Sequence, residues 1–138
     1  MNQLAAFRAR GHYVSDIEVV YFSPNIEQTV RWFEETLGWY GNTFDKNEQG
    51  AATYGYVSDL PQDIMETGAI PGKTIHIWPG EAQKRVLAFV RVDDLAAFHA
   101  LVIKNGWTRI TDVFSTGLSR KTCTLTTNDG SELMFYQK

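Results

Sequence analysis

One cysteine, Cys123, is all the sequence contains, so no internal disulfide can form and the fold must be held by packing alone. With no activating base nearby in sequence, Cys123 reads as a small buried strand residue in a protein of a reducing compartment. No apolar run approaches membrane-spanning length, and no hydrophobic signal core opens the sequence; both point to the cytoplasm and away from a membrane. Positive charge is also scarce. Thirteen Lys and Arg stand against 16 Asp and Glu, a formal charge of −3, which disfavours nucleic-acid binding by phosphate neutralisation. A serine nucleophile motif, a Gly-rich phosphate loop and a CxxC pair are missing as well.

Aromatic side chains are what the sequence has in excess. Four Trp, six Tyr and eight Phe in 138 residues exceed what a core of this size needs. Small-molecule pockets use such rings for stacking. The length otherwise suits one compact domain.

The clearest element runs from Ser23 to Trp39. Asn25 is a good N-cap, Glu27 and Gln28 suit the positive end of the helix dipole, and Gly38 suits a left-handed C-cap. Between them Ile26, Val30, Phe33 and Leu37 form one apolar stripe at helical spacing. The same phrase returns as Val92-Asp93-Asp94-Leu95, with Leu95, Phe98 and Leu101 or Val102 as its stripe and Asn105-Gly106-Trp107 as its close. Asp93-Asp94 reads as helix capping rather than as a catalytic carboxylate pair. Strand-like runs, Ile17 to Phe22 and Val86 to Val92, precede the two helices. Two tandem repeats therefore organise the chain.

Further strands are expected at Trp39 to Phe44, Ala51 to Val57, Thr74 to Trp78, Trp107 to Val113, Arg120 to Thr126 and Leu133 to Tyr136. Asn128-Asp129-Gly130 is a hairpin turn and Ser115-Thr116-Gly117 a second turn. Met1 to His12 is weakly patterned, an arm or a strand that reaches a partner. Asp59 to Lys73 is irregular, either a lid or a simple crossover loop.

These phrases resemble the vicinal oxygen chelate superfamily, the fold of glyoxalase I, bleomycin-resistance proteins and extradiol dioxygenases. The resemblance is carried by Asn25-Ile26 through Trp32-Phe33 to Leu37-Gly38-Trp39, by Val90 to Leu95, and by Asn128-Asp129-Gly130-Ser131 with Leu133. It implies an α+β fold in which two tandem βαβββ modules form a curved mixed sheet around a central cavity with helices outside. One domain over 1–138 is expected, with module one at about 14–79, a linker at 80–85 and module two at about 86–138. The family also implies a homodimer.

Strand alternation then selects the inward side chains. Glu18, Val20 and Phe22 share one face, as do Thr74, His76 and Trp78. In the second repeat the matching sets are Leu87, Phe89 and Arg91, then Glu132, Met134 and Tyr136. The expected cavity holds Glu18 and His76 as catalytic candidates, with Phe22, Tyr54, Tyr56, Trp78, Phe89, Arg91, Met134 and Tyr136 as ligand-binding residues. The positions where the family places metal ligands are Glu18, His76, Leu87 and Met134, and only the first two can ligate. No cofactor is therefore expected; a divalent metal at Glu18 and His76 would be held weakly.

Three functions fit. The chain binds a small aromatic or planar ligand without metal, or it is a metal-dependent glyoxalase-type lyase, isomerase or dioxygenase using Glu18 and His76. The third is acid/base catalysis by that pair alone.

Overall fold

The computed structural model describes residues 2–11, 17–67, 73–116 and 120–137. Its elements are α1 (Gln3–Ala9), β1 (Val19–Ser23), α2 (Ile26–Leu37), β2 (Tyr40–Lys46), β3 (Ala52–Ser58), α3 (Gln62–Thr67) and β4 (Thr74–Pro79). Then follow β5 (Val86–Arg91), α4 (Leu95–Lys104), β6 (Phe114–Thr116), β7 (Arg120–Thr126) and β8 (Glu132–Gln137). They form two four-stranded mixed sheets, ordered β1-β4-β3-β2 and β5-β8-β7-β6, neither closed on itself. In each sheet the first strand lies parallel to the last, and the other pairs are antiparallel. The α+β class and the repeated βαβββ unit are thus what the chain adopts.

α2 shows why the first unit folds. The Asn25 side chain accepts from the Gln28 amide at 3.1 Å, satisfying a donor the helix cannot. At the other end Gly38 sits at φ 70, a left-handed conformation that a Cβ would strain. Ile26, Val30, Phe33 and Leu37 are all buried, joined by Thr29, Trp32 and Thr36. Each large apolar side chain so covered contributes about 1.5–3 kcal/mol. α2 lies close on its sheet: a Cβ on Gly41 would come 2.7 Å from Val30 Cγ1 and 2.8 Å from the Tyr56 carbonyl oxygen. α4 begins alike, with Asp94 accepting from the Ala97 amide at 3.0 Å. Its stripe is thinner: Leu95 and Val102 are buried, Phe98 is half-buried, and Leu101 is exposed.

The modules share a core. Trp32 meets Trp107 edge-on at 5.2 Å, and the Asn105 side chain donates to the Thr36 carbonyl at 2.8 Å. The sheets approach each other through β1 and β5. At one end of that seam the β7–β8 hairpin grips module one. Tyr21 Oη lies 2.6 Å from Thr127 Oγ1 and donates to Asp129 Oδ2 at 2.8 Å. Thr29 Oγ1 donates to the same carboxylate oxygen at 2.9 Å and lies 2.7 Å from Ser23 Oγ. Burial, helped by the Asp129 charge, pushes the Tyr21 phenol well above its ordinary range and keeps it protonated.

Five expectations need correction. The stretch 107–113 is not a strand but a single bridge, Ile110 to Leu125. Backbone bonds run from Thr111 to the Thr124 carbonyl and from Thr126 to the Arg109 carbonyl, and Thr111 Oγ1 also accepts from the Thr124 amide. The edge strand comes later, as β6, and takes in Ser115 and Thr116, which the sequence suggested as a turn. The N-terminal stretch carries a short helix, α1, capped by Asn2, and the irregular Asp59–Lys73 loop contains α3. Leu87 does not share a face with Phe89 and Arg91. A register irregularity between Val86 and Ala88 turns it to the core, among the side chains packed on the buried cluster. His12, Gly117 and 68–72 of the loop lie outside the described residues.

Candidate functional site

Sheet one has a packed face and an open one. Tyr21, Ser23, Ile75, Ile77 and Val57 are buried against helix and core. On the other side stand Glu18, Val20, Phe22, Tyr54, Tyr56, His76 and Trp78, all exposed or half-buried. β1 and β4 are neighbours with Val20 opposite His76, and β3 sets Tyr56 opposite His76 from the other side. Three strands therefore converge on the imidazole.

His76 Nε2 lies 3.3 Å from Glu18 Oε2, and His76 Nδ1 lies 2.7 Å from Tyr54 Oη. The neutral tautomer that satisfies both carries its proton on Nε2, facing the carboxylate, while Nδ1 accepts from the phenol. Burial, with the nearby Glu18 and Tyr56 adding to it, raises the Tyr54 pKa, so the phenol stays protonated as the donor. The result is a fixed chain, Tyr54–His76–Glu18, with the carboxylate 45% exposed at its open end. Around it Phe44 stacks on Tyr54 at 5.7 Å and on Tyr56 at 5.9 Å, and Phe22 meets Trp78 edge-on at 6.5 Å.

Sheet two repeats the plan with other chemistry. Cys123, Leu125, Leu133 and Phe135 face the core, and burial pushes the Cys123 thiol up to about 11. Phe89, Arg91, Met134 and Tyr136 occupy the opposite face, where Phe89 and Tyr136 rings lie 4.5 Å apart. Where the sheets meet, a cavity of about 530 Å³ is lined by Glu18 and Lys73 from module one and by Phe89, Arg91 and Phe98 from module two. A second hollow, about 400 Å³ beside the start of α2, lies away from this chemistry.

Of the residues singled out in the sequence, Glu18, His76 and Tyr54 form one connected group, and Tyr56 stands beside His76. Glu18, Phe89 and Arg91 share the cavity. Phe22 with Trp78, and Met134 with Tyr136, flank it on the open faces without lining it. Phe44 and Arg120 were missed. Phe44 shares a face with Tyr40 and Asn42 along β2, and Arg120 with Thr122 and Thr124 along β7, so continuing the period-two reading would have found both.

The positions where a metal was implied do not suit one. Glu18 and His76 are two donors, Leu87 is turned to the core, and Met134 offers only a thioether. Among the described residues no group of three or more His, Cys, Asp or Glu converges. That donor set does not fit a tightly held divalent ion, which needs at least three protein ligands. Among them, too, no helix is long and apolar enough to cross a membrane.

Residues 18–80 match the family model described as bleomycin resistance protein domain. A glyoxalase-related enzyme from Clostridium phytofermentans shares 35% identity over 94% of this chain and 98% of its own, with a TM-score of 0.86. A bleomycin resistance determinant encoded on transposon Tn5 matches at 17% identity, TM-score 0.67, over 91% of this chain and 98% of its own. The bleomycin-binding protein from Streptomyces verticillus, solved with copper(II)-bleomycin, matches at 14% identity and TM-score 0.65, over 90% and 96% respectively. No curated protein matches in sequence.

Proposed function

Because the chain belongs to the glyoxalase/bleomycin resistance protein/dioxygenase superfamily, we propose that it binds a small planar or aromatic molecule on the open faces of its sheets. The observation that carries this reading is the aromatic floor around the Tyr54–His76–Glu18 chain. Phe44, Trp78 and Phe89 are 40%, 48% and 50% exposed, although a folded protein has every reason to cover them. Rings left in contact with water beside one fixed polar chain are the ordinary makeup of a ligand pocket. Glu18 supplies an anionic acceptor, Arg91 a cationic fork, and the rings supply stacking area. That relatives of this fold bind bleomycin supports a sequestering role of the same kind.

In this reading residues 1–138 act as one ligand-binding domain, cytoplasmic as the lone thiol suggests. A second copy covers part of the open faces to make a homodimer, which light scattering would report. A thermal-shift screen with planar aromatic compounds tests the binding itself. A ligand at a hundred times its Kd adds about 2.7 kcal/mol of stability, a shift of several degrees. Trp78→Ala should abolish the shift. If no aromatic compound stabilises the wild-type chain, the reading is wrong.

One observation favours a second reading, an enzyme. Glu18 and His76 are close enough to pass a proton, and Tyr54 fixes the ring that would carry it. In that case the chain acts as an acid/base catalyst from those two side chains. Turnover lost in both Glu18→Gln and His76→Gln, with ligand affinity kept, would favour it over simple binding.

A further inference from the structure

We propose that the ligand is an aromatic molecule bearing an anionic group, and that Arg91 and Arg120 read that group. This rests on the binding reading above and narrows it to a chemical class. Tyr136 is the centre of the argument. Phe89 lies 4.5 Å from its ring, the Arg120 guanidinium stands over it at 5.2 Å, and Arg91 is its direct neighbour across β5 and β8. Phe89 and Arg91 also line the 530 Å³ cavity, so the platform borders it.

Neither arginine has a carboxylate partner among the described residues. Acids do stand in the neighbourhood. Glu18 meets His76, Asp59 shares the cavity lining with Lys73, and Glu132 sits four positions before Tyr136 on β8, beyond Met134. Glu18 and Asp59 balance Lys73 and Arg91 around the cavity, so the excess positive charge sits at Arg120 beside Tyr136. A guanidinium offers a planar fork of donors that fits a carboxylate, sulfonate or phosphate group, and its attraction to the Tyr136 face is weak by comparison. Thr122 adds to the picture. It is Tyr136's partner on β7, buried, with a hydroxyl that no group among the described residues answers. The ring stacks; the arginines take the charge.

Calorimetric titration of the intact chain with three naphthalene probes separates this from the broader reading. The probes are 2-naphthoate, neutral 2-naphthol and the 2-naphthylmethylammonium cation. The anion should bind at least about tenfold more tightly than the neutral ring, and the cation should bind most weakly, since a charge-assisted hydrogen bond is worth a factor of that order. Arg91→Met and Arg120→Met should each weaken naphthoate about tenfold and naphthol by less than about threefold, and added salt should erode only the naphthoate affinity. Both arginines are on the surface side of the sheet, so melting points should hold. Binding of all three probes alike, or naphthoate binding indifferent to both substitutions, overturns the inference while aromatic binding stands. Failure of every probe to bind overturns both.

Discussion

The two modules are copies in outline and opposites in emphasis. α2 buries seven side chains, from Ile26 to Leu37, whereas α4 buries two, Leu95 and Val102. The open face of the first sheet carries a carboxylate, an imidazole and a phenol in series. That of the second carries one guanidinium over the Tyr136 ring and another beside it on β5. The difference divides the labour: module one supplies most of the core, and module two leans on it through the hairpin at Asp129. A repeated unit can keep its backbone plan while one copy supplies more of the core than the other.

Core truncation should break this symmetry most. Phe33→Ala, at a fully buried site, is expected to cost about 3–5 kcal/mol, and Phe98→Ala, half-buried in the equivalent helix, about half as much. Urea unfolding of both variants measures the ratio; equal losses would refute the proposed division. Next comes the tie between the modules. Asp129→Ala removes the acceptor shared by Tyr21 and Thr29 and should cost about 2 kcal/mol, or roughly 6–10 °C in melting temperature. If the hairpin were decorative, the loss would stay within a few tenths of a kcal/mol. The smallest effect sharpens the contrast between the faces. Tyr54→Phe should leave stability within about 1 kcal/mol yet release Nδ1, so that nitrogen NMR of His76 changes from one tautomer to a mixture. An unchanged spectrum would show that Glu18 alone orients the ring.

Much of this architecture was readable beforehand, because it rests on local rules. Asn25 and Asp94 announce their helices, Gly38 ends one, and the period-two alternation of β1 and β4 puts Glu18 and His76 on one side. What was not readable depends on partners far away in the chain. The irregularity at Leu87 appears only when β5 is laid beside β8, since nothing in Val86-Leu87-Ala88 departs from strand-like sequence. Trp107 to Val113 has the composition of a strand, but its backbone pairs with β7 only around Ile110, and the Trp107 indole caps the Thr126 carbonyl instead of continuing the ladder. The Tyr54–His76 contact needed the register of β3 on β4, and Asp129 read as a turn residue because its bonds to Tyr21 and Thr29 cross a hundred residues.

That last distance bears on how the molecule comes to be folded. Tyr21 and Thr127 are 106 positions apart, and within its own sheet β1 pairs only with β4. A growing polypeptide can finish its first sheet once Pro79 has emerged, yet the phenol of Tyr21 and the hydroxyl of Thr29 must wait for a hairpin synthesised many seconds later. Until then the first half carries an unsealed seam with its polar groups still wetted. Closure of that seam therefore follows synthesis of both modules.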